Sequence, residues 1–253
     1  MSLCVENLDF AYRKNSARVL EKITCEFERG KFYGIFGSNG CGKSTLLKVL
    51  ANLLHGSTQV MLEGKALNSF SSKQRAQFLG YAAQENELNL PFTVRECIKL
   101  GRYAWSDSND DLIDSLIAEW NVEAFAGKNF SELSGGEQQK IKLLRVLAQD
   151  SDYILLDEPG SSLDWTRQLE LYERLQKIAH TKNKCVIMVC HDIYLAPSFI
   201  DRMLVLAGGR LIYNSSPSGS GADNAVAEAF GRDFTLQRES GKVVIQWQND
   251  QAR

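Results

Sequence analysis

Residues 37–45 read GSNGCGKST and match the pattern G-x-x-x-x-G-K-[ST] in full. Glycines in such a loop let backbone N–H groups turn inward around phosphate oxygens, and a helix that begins at Lys43 adds its positive end to the same anion. The lysine reaches the terminal phosphates, and the Ser44 hydroxyl is a ligand for Mg²⁺. The motif predicts a nucleotide site rather than a chance glycine-rich turn. It would be formed by Gly37, Ser38, Asn39, Gly40, Cys41, Gly42, Lys43, Ser44 and Thr45.

Two acidic residues follow the apolar run YILL in YILLDEP, residues 153–159. A phosphate loop needs a carboxylate on a neighbouring strand to hold its metal, and Asp157 is predicted to bind Mg²⁺, directly or through water. Glu158 is predicted to orient or deprotonate the attacking water. His191 directly follows the run CVIMVC and would lie at the carboxyl end of another core strand, where open α/β sheets bind ligands. It could contact the γ-phosphate, although a lone histidine is more often structural or solvated.

A second glycine-rich helix start occurs in LSGGEQQK, residues 133–140. Ser134 and Glu137 have the spacing of a capping box, and Gly135 and Gly136 leave backbone N–H groups bare for a second phosphate. A plain capped helix needs the serine and the glutamate but not two glycines. Since one nucleotide does not need two such helix ends from one chain, the second is predicted to serve a nucleotide on another molecule.

The cysteines favour a reducing compartment. The six cysteines form no C-x-x-C pair, and the three histidines have no metal-ligand spacing, so neither a disulfide framework nor zinc is expected. Cys41 lies inside the phosphate loop. Its alkylation is expected to block nucleotide, and ATP is expected to protect it from a thiol reagent.

Alternating strand-like and helix-like segments predict an α/β fold with parallel strands. Residues 84–150 differ: three helices and no convincing strand predict a helical subdomain inserted in the core. Ser71 or Ser72 would cap a short helix that precedes it, and residues 214–223 are expected to form a mobile loop. Strands are predicted at 31–36, 59–64, 153–157, 185–190, 204–207, 210–213 and 242–248, and helices at 43–53, 71–78, 93–103, 107–120, 134–148 and 166–179.

The composition is that of a soluble globular protein. The 253 residues are 44% hydrophobic and 24% charged with a net charge of −2, which excludes whole-chain disorder and does not resemble a strongly basic nucleic-acid binder. No segment approaches the roughly 20 apolar residues that span a bilayer. Because Glu6 and Asp9 interrupt the start of the chain, we expect no export signal.

These motifs, in this order, resemble the ATP-binding subunits of ABC transporters over nearly the full chain. The matching features are Tyr12, the phosphate loop, Gln84, LSGGE, YILLDEP, SSLD at residues 161–164, and His191. The resemblance implies one ABC ATPase domain over residues 1–253. That domain has a P-loop NTPase core, with a mostly parallel sheet and an antiparallel β subdomain, and the helical subdomain at 84–150 inserted in it.

The resemblance also implies roles for individual residues. Tyr12 would stack on adenine with Val19 beside it, and Gln84 would touch Mg²⁺ or the attacking water and sense the membrane partner. Ser134, Gly135 and Gly136 would bind the γ-phosphate of ATP held by a second copy, and Asp164 would cross the interface between copies. The catalytic residues would be Glu158, His191 and Gln84, and the metal ligands Ser44, Gln84 and Asp157.

The implied assembly is a head-to-tail homodimer around two ATP, bound to an integral membrane permease at the cytoplasmic face of the membrane. A substrate-binding protein would act only through the permease, and no nucleic acid is expected. Within the family, PFTVREC, GRYAW and the C-terminal stretch at 229–246 resemble importers of iron-siderophores, haem or cobalamin.

Three alternatives stay open: a non-transport ABC ATPase of repair or translation, an importer of another substrate class, and a regulatory module that no longer hydrolyses ATP. The chain departs from the family at Gly160, where threonine is usual, at Ser38, where proline is common, and at Gln138 and Lys140, where arginine is frequent. None of these departures removes a catalytic group, so we expect activity.

Overall fold

The computed structural model describes residues 2–13, 16–83, 91–161, 163–231, 234–239 and 242–247. The strands are β1 Ser2–Phe10, β2 Leu20–Glu28, β3 Phe32–Phe36, β4 Met61–Leu62, β5 Lys65–Ala66, β6 Leu79–Ala82, β7 Tyr153–Asp157, β8 Cys185–Val189, β9 Arg202–Ala207, β10 Arg210–Ser215, β11 Phe234–Glu239 and β12 Lys242–Trp247. The helices are α1 Lys43–Leu50, α2 Ser72–Phe78, α3 Val94–Lys99, α4 Asp110–Glu119, α5 Gly135–Ala148, α6 Trp165–Thr181 and α7 Ala222–Phe230.

A six-stranded sheet in the order β10-β9-β3-β8-β7-β6 forms the centre of the molecule. The strands from β9 to β6 are parallel, and β10 pairs antiparallel with β9. Every residue of β3, β7 and β8 is buried, because side chains of both strand faces pack into hydrophobic clusters. The carboxyl ends of β3, β7 and β8 therefore meet at one edge of the sheet.

A second sheet is antiparallel, with four strands in the order β2-β1-β4-β5. It packs with α1 in the hydrophobic cluster on one face of the central sheet. The strand expected at 59–64 is two short strands joined at Glu63 and Gly64, whose φ angles of 52° and 77° make a tight reversal. The molecule thus has the predicted antiparallel part beside the parallel one.

Helices dominate the described residues between 91 and 150, where only an isolated bridge between Thr93 and Asn129 pairs extended backbone. Capping boxes at Thr93 and Ser134 start α3 and α5 as predicted, and Ser71 starts α2 in the same way. The helix expected to reach Tyr103 instead ends at Lys99, and Leu100–Ala104 forms a 3-10 turn.

Three further expectations differ from the structure. Helix α1 ends at Leu50 rather than 53, because Asn52 takes a left-handed φ of 57°. Asn109 caps α4, which therefore begins at Asp110 rather than 107. The stretch 214–223 was predicted to be a loop, but residues 214–215 belong to β10 and residues 222–223 begin α7. Helix α7 was not predicted from the sequence. Across the described part of the chain, none of the helices combines the length and apolarity needed to cross a bilayer.

Candidate active site

Strand β3 runs into a loop whose shape depends on glycine. Gly37, Gly40 and Gly42 have φ angles of 146°, 78° and 108°, a region that side chains disfavour. A Cβ at Gly37 would lie 2.6 Å from the Cys41 sulfur, and one at Gly42 would lie 2.7 Å from Leu20 Cδ2. Conformation and space therefore both require glycine at these two ends of the loop.

The Lys43 side chain is buried and folds back over the loop. Its ammonium donates hydrogen bonds to the Gly37 carbonyl at 2.9 Å and to the Ser38 carbonyl at 3.0 Å. Gly42 is the N-cap residue of α1 and makes no side-chain cap, so the first N–H groups of the helix stay open toward the loop. A cation and a helix N-terminus thus meet at one place, which suits a phosphate group.

Ser44 and Asp157 face each other across the sheet edge. The Ser44 hydroxyl donates to Asp157 Oδ1 at 2.9 Å, and Asp157 is only 3% exposed. Burial raises the pKa of Asp157, while the hydrogen bond from Ser44 acts in the opposite direction. The buried Asp157 carboxylate and the Ser44 hydroxyl are hard oxygen donors, and this pair fits Mg²⁺.

Glu158 and His191, the two predicted catalytic residues that the structure describes, contact each other. Glu158 follows β7 with a left-handed φ of 53°, and its Oε1 contacts His191 Nε2. The Glu158 side chain is 10% exposed and that of His191 is 45% exposed. A cleft of about 660 Å³ lies beside them. It is lined by Tyr12, Val19, Asn39, Gly40, Gly42, Lys43, Ser44, Thr45, Glu158 and His191.

Tyr12 is placed to contact a planar base. Its ring is edge-on to Phe10, with ring centroids 5.0 Å apart, and its hydroxyl is 3.0 Å from Thr45 Oγ1. The side chain is nevertheless 60% exposed at the mouth of the cleft. An aromatic face fixed at its edges and open to solvent is suited to stacking.

The second glycine-rich helix start lies outside this cleft. Ser134 and Glu137 form the predicted capping box, with Ser134 N–H donating to Glu137 Oε2 at 2.8 Å. A Cβ at Gly135 would meet nothing within 4 Å, and one at Gly136 would lie 3.8 Å from Arg167 Nη1. Neither glycine has a positive φ. The described chain thus gives no local reason for glycine at either position.

Gln84 and Asp164 were also predicted to have a role in the site. Gln84 lies outside the described residues. Asp164 caps α6 by accepting a hydrogen bond from the Arg167 N–H at 3.0 Å, and it does not line the cleft. The nearby Gly160 carbonyl accepts a hydrogen bond from Gln168 Nε2 at 3.0 Å, which holds the turn that leads to Asp164.

The Cys41 thiol belongs to the hydrophobic core rather than to the cleft. Its side chain packs in the cluster on the α1 face, and burial raises the pKa of the thiol. A buried thiol that stays protonated reacts slowly. We therefore now expect slow alkylation of Cys41 with or without ATP, and a contribution to phosphate binding through its backbone only.

One residue beside the predicted metal ligand Asp157 was not predicted to belong to the site. The Tyr81 hydroxyl on β6 is buried next to Asp157, whose charge adds to burial in raising the pKa of the phenol. A tyrosine in an apolar strand is usually part of the core. Its position three residues before Gln84 was the signal that could have pointed to the site.

The chain is similar to known ATP-binding proteins along most of its length. The family model described as ABC transporter matches residues 20–161. The petrobactin import ATP-binding protein FpuD of Bacillus anthracis is 31% identical over 229 residues, covering 87% of this chain and 84% of that protein. The hemin import ATP-binding protein HmuV of Escherichia coli O157:H7 is 30% identical, covering 91% of this chain and 93% of that protein.

A solved structure shares the fold along most of the chain. It is a dimeric ATP-binding cassette in a post-hydrolysis state, bound to ADP and Pi, with a TM-score of 0.76 and 25% identity. The match covers 87% of this chain and 100% of the other.

Proposed function

This chain belongs to the ABC transporter family of ATP-binding proteins, and on that premise we propose that it drives a membrane importer by hydrolysing ATP. Its fold is the P-loop nucleotide-binding fold, with a mostly parallel sheet, an antiparallel sheet and added helices. The observation that carries the proposal is the convergence of Lys43, Ser44, Asp157, Glu158 and His191 around one cleft edge.

Each residue of the cleft has a defined task in this reaction. Lys43 and the loop N–H groups bind the β- and γ-phosphates, and Tyr12 holds the adenine by stacking. Ser44 and Asp157 would hold Mg²⁺, which neutralises charge on the phosphates. Glu158 accepts a proton from the water that attacks the γ-phosphorus.

His191 supports this proton transfer through its contact with Glu158. A ring nitrogen on Oε1 restricts the carboxylate to one orientation. The same imidazole lines the cleft, so it can also donate to the γ-phosphate. We further assign Gln84 to the metal or the water, as the family resemblance implies.

A head-to-tail homodimer would explain the second glycine-rich helix start. Gly135 and Gly136 leave open space before the N-terminus of α5, and no described part of the chain fills it. A phosphate carried by another copy would fit there, with Ser134 beside it. Two copies would then enclose two ATP, each between the phosphate loop of one copy and α5 of the other. Asp164 would lie at their interface.

The partner in the membrane would be a separate permease. An exposed apolar patch on the helical region is suited to this contact, with Tyr103 88% exposed and Leu100 and Trp105 also open to solvent. The chain would therefore be peripheral, at the cytoplasmic face of the membrane, and would meet a substrate-binding protein only through the permease.

We propose an iron-siderophore, haem or cobalamin-like complex as the imported substrate class. The names of the petrobactin and hemin relatives support this class. The cargo itself would be recognised by the permease and the binding protein, because no feature of the ATP cleft depends on it.

The test is to tag the protein, extract it gently from membranes and identify what co-purifies, while assaying Mg²⁺-dependent ATP hydrolysis. We expect a multi-span permease in stoichiometric amount and hydrolysis that Lys43→Ala abolishes. Recovery with ribosomes or DNA, or with no permease, would refute the transport role and leave the ATP site intact. Unchanged ATP affinity in Lys43→Ala would refute the phosphate-loop assignment itself.

A further inference from the structure

The Tyr81 hydroxyl is buried without a hydrogen-bond partner among the described residues. A buried hydroxyl usually finds a partner, because leaving one unpaired costs roughly 1–3 kcal/mol. Tyr81 lies on β6, which pairs in parallel with β7 so that Tyr81 is opposite Leu155. The unpaired group is therefore one strand away from the metal carboxylate.

Tyr81 and Asp157 share a face of the sheet. Leu155 and Asp157 are two residues apart on β7 and so point to the same side, which is the side where Leu155 and Tyr81 pack with α1. The Tyr81 hydroxyl lies close enough to the Asp157 carboxylate for a weak hydrogen-bonding interaction with it. No hydrogen bond of normal geometry joins the two groups.

Asp157 needs further polar contacts. It is only 3% exposed, and its Oδ1 accepts a hydrogen bond from Ser44. A buried carboxylate is stabilised by hydrogen bonds from donors beside it. Among the described residues, the Tyr81 hydroxyl is a buried donor beside this carboxylate that makes no hydrogen bond of normal geometry.

From these observations we infer that Tyr81 is a positioning residue for the metal site, whose hydroxyl donates to the Asp157 carboxylate once Mg²⁺–ATP is bound. The bond would fix the carboxylate in the orientation that, with Ser44, suits a divalent cation. Tyr81 touches neither ATP nor the attacking water in this scheme. The inference rests on the proposed function, since it assumes that Asp157 serves the metal of an ATP site.

The test compares Tyr81→Phe with Tyr153→Phe. The Tyr153 hydroxyl is also buried and unpartnered, but it lies at the opposite end of β7, where the strand begins. Each change removes only one oxygen, so both variants should fold. Comparing the two variants distinguishes the effect of losing any unpartnered buried hydroxyl from the effect of losing the one near the metal site. Three readouts are measured: affinity for a fluorescent ATP analogue with EDTA, the same affinity across a Mg²⁺ titration, and Tm in each state.

For Tyr81→Phe we expect unchanged affinity in EDTA and a Mg²⁺ requirement raised roughly threefold to tenfold, the range of one net hydrogen bond. Without nucleotide its Tm should equal or exceed that of the parent, whereas Mg²⁺–ATP should stabilise it less than the parent. Tyr153→Phe should keep the parental Mg²⁺ dependence.

An identical Mg²⁺ titration for Tyr81→Phe and the parent would overturn the positioning role. An equal shift in both variants would overturn it too, because the effect would then be structural. If the parent bound ATP but showed no response to Mg²⁺, the proposed function would fail instead, so the two failures are distinguishable.

Discussion

At Glu158, directly after the predicted metal ligand Asp157, the backbone takes a left-handed conformation. A residue with a Cβ pays roughly 1–2 kcal/mol for this conformation, so the surrounding structure must hold it there. The turn separates two consecutive carboxylates. Asp157 faces Ser44, and Glu158 faces His191. One acid can therefore serve the metal while the next serves the water.

Changing Glu158→Gln should slow ATP turnover by roughly 10²–10⁴-fold, because the amide cannot accept the proton of water. ATP affinity should be preserved, since Lys43 and the phosphate loop are untouched. Single-turnover hydrolysis and equilibrium binding would be measured on the same preparation. Turnover equal to the parent's would show that Glu158 is not the base.

Changing Asp157→Asn should stabilise the nucleotide-free protein at neutral and higher pH. Burial raises the pKa of the Asp157 carboxyl in the folded state. The neutral carboxyl therefore stabilises the folded protein at low pH, and this stabilisation is lost as the pH rises through the raised pKa. Asparagine stays neutral and still accepts the Ser44 hydrogen bond. Thermal melts from pH 4 to pH 8 should show a Tm advantage for the variant that grows with pH.

The same variant should lose the extra stabilisation that Mg²⁺–ATP gives the parent, which separates the metal role from the folding effect. A lower Tm than the parent at pH 8 without nucleotide would contradict the prediction.

Chemical identity explains which residues could be predicted from the sequence. Lys43, Ser44, Asp157 and Glu158 were predicted because a phosphate site needs these groups in this order along the chain. The Cys41 thiol and the Tyr81 hydroxyl were not placed, because whether a side chain faces a core or a cleft depends on the packing of distant segments. The roles assigned to all of these residues, and to Gln84 and Asp164, remain predictions.

At the scale of elements, helix α5 begins with two glycines that the local structure does not require. Glycine within a helix costs roughly 0.5–1 kcal/mol relative to alanine. At Gly135 and Gly136 neither backbone conformation nor crowding in the described chain requires it. The cost is consistent with close approach of a ligand or a second copy to this helix end.

Changing Gly136→Ala should keep or slightly raise the Tm of the monomer and reduce ATP-driven dimerisation, since the added methyl would occupy the approach to α5. Gly127→Ala is the control for loss of a glycine outside α5: a Cβ there meets nothing within 4 Å, and one at Gly136 meets only Arg167 Nη1 at 3.8 Å. Sedimentation in the Glu158→Gln background with ATP would measure the dimer. Equal dimerisation in both variants would argue against phosphate binding at α5.

Helices that begin with a capping box and the continuous apolar strands β3, β7 and β8 were predicted well, whereas β1 was not. Capping boxes at Ser71, Thr93 and Ser134 fixed three helix starts because their hydrogen bonds span only three residues. Strand β1 was not among the predicted strands, since a left-handed Asn7 and two register shifts break its alternation. The 3-10 turn after α3 has a tertiary cause, since Gly101 packs against the backbone of α5.

For the whole molecule, the exposed patch of Leu100, Tyr103 and Trp105 is the surface that we assign to the permease. Changing Tyr103→Ser should reduce recovery of the permease in co-purification while leaving ATP hydrolysis by the isolated protein unchanged. Leu53→Ser is the control, since Leu53 is also exposed, at 58%, but follows α1 on another part of the surface. Equal recovery of the permease in both variants would place the contact elsewhere.

The phosphate loop contacts both the central sheet and the antiparallel sheet. Gly37 lies against the Leu206 carbonyl of β9, Gly42 lies against Leu20 at the start of β2, and the Gly209 carbonyl accepts a hydrogen bond from Glu21 N–H at 2.8 Å. The loop can therefore take its shape only when both sheets are docked. ATP should therefore bind only when the whole molecule is folded. Saturating nucleotide should slow amide hydrogen exchange where the two sheets meet. A chain in which either sheet is detached should not bind ATP.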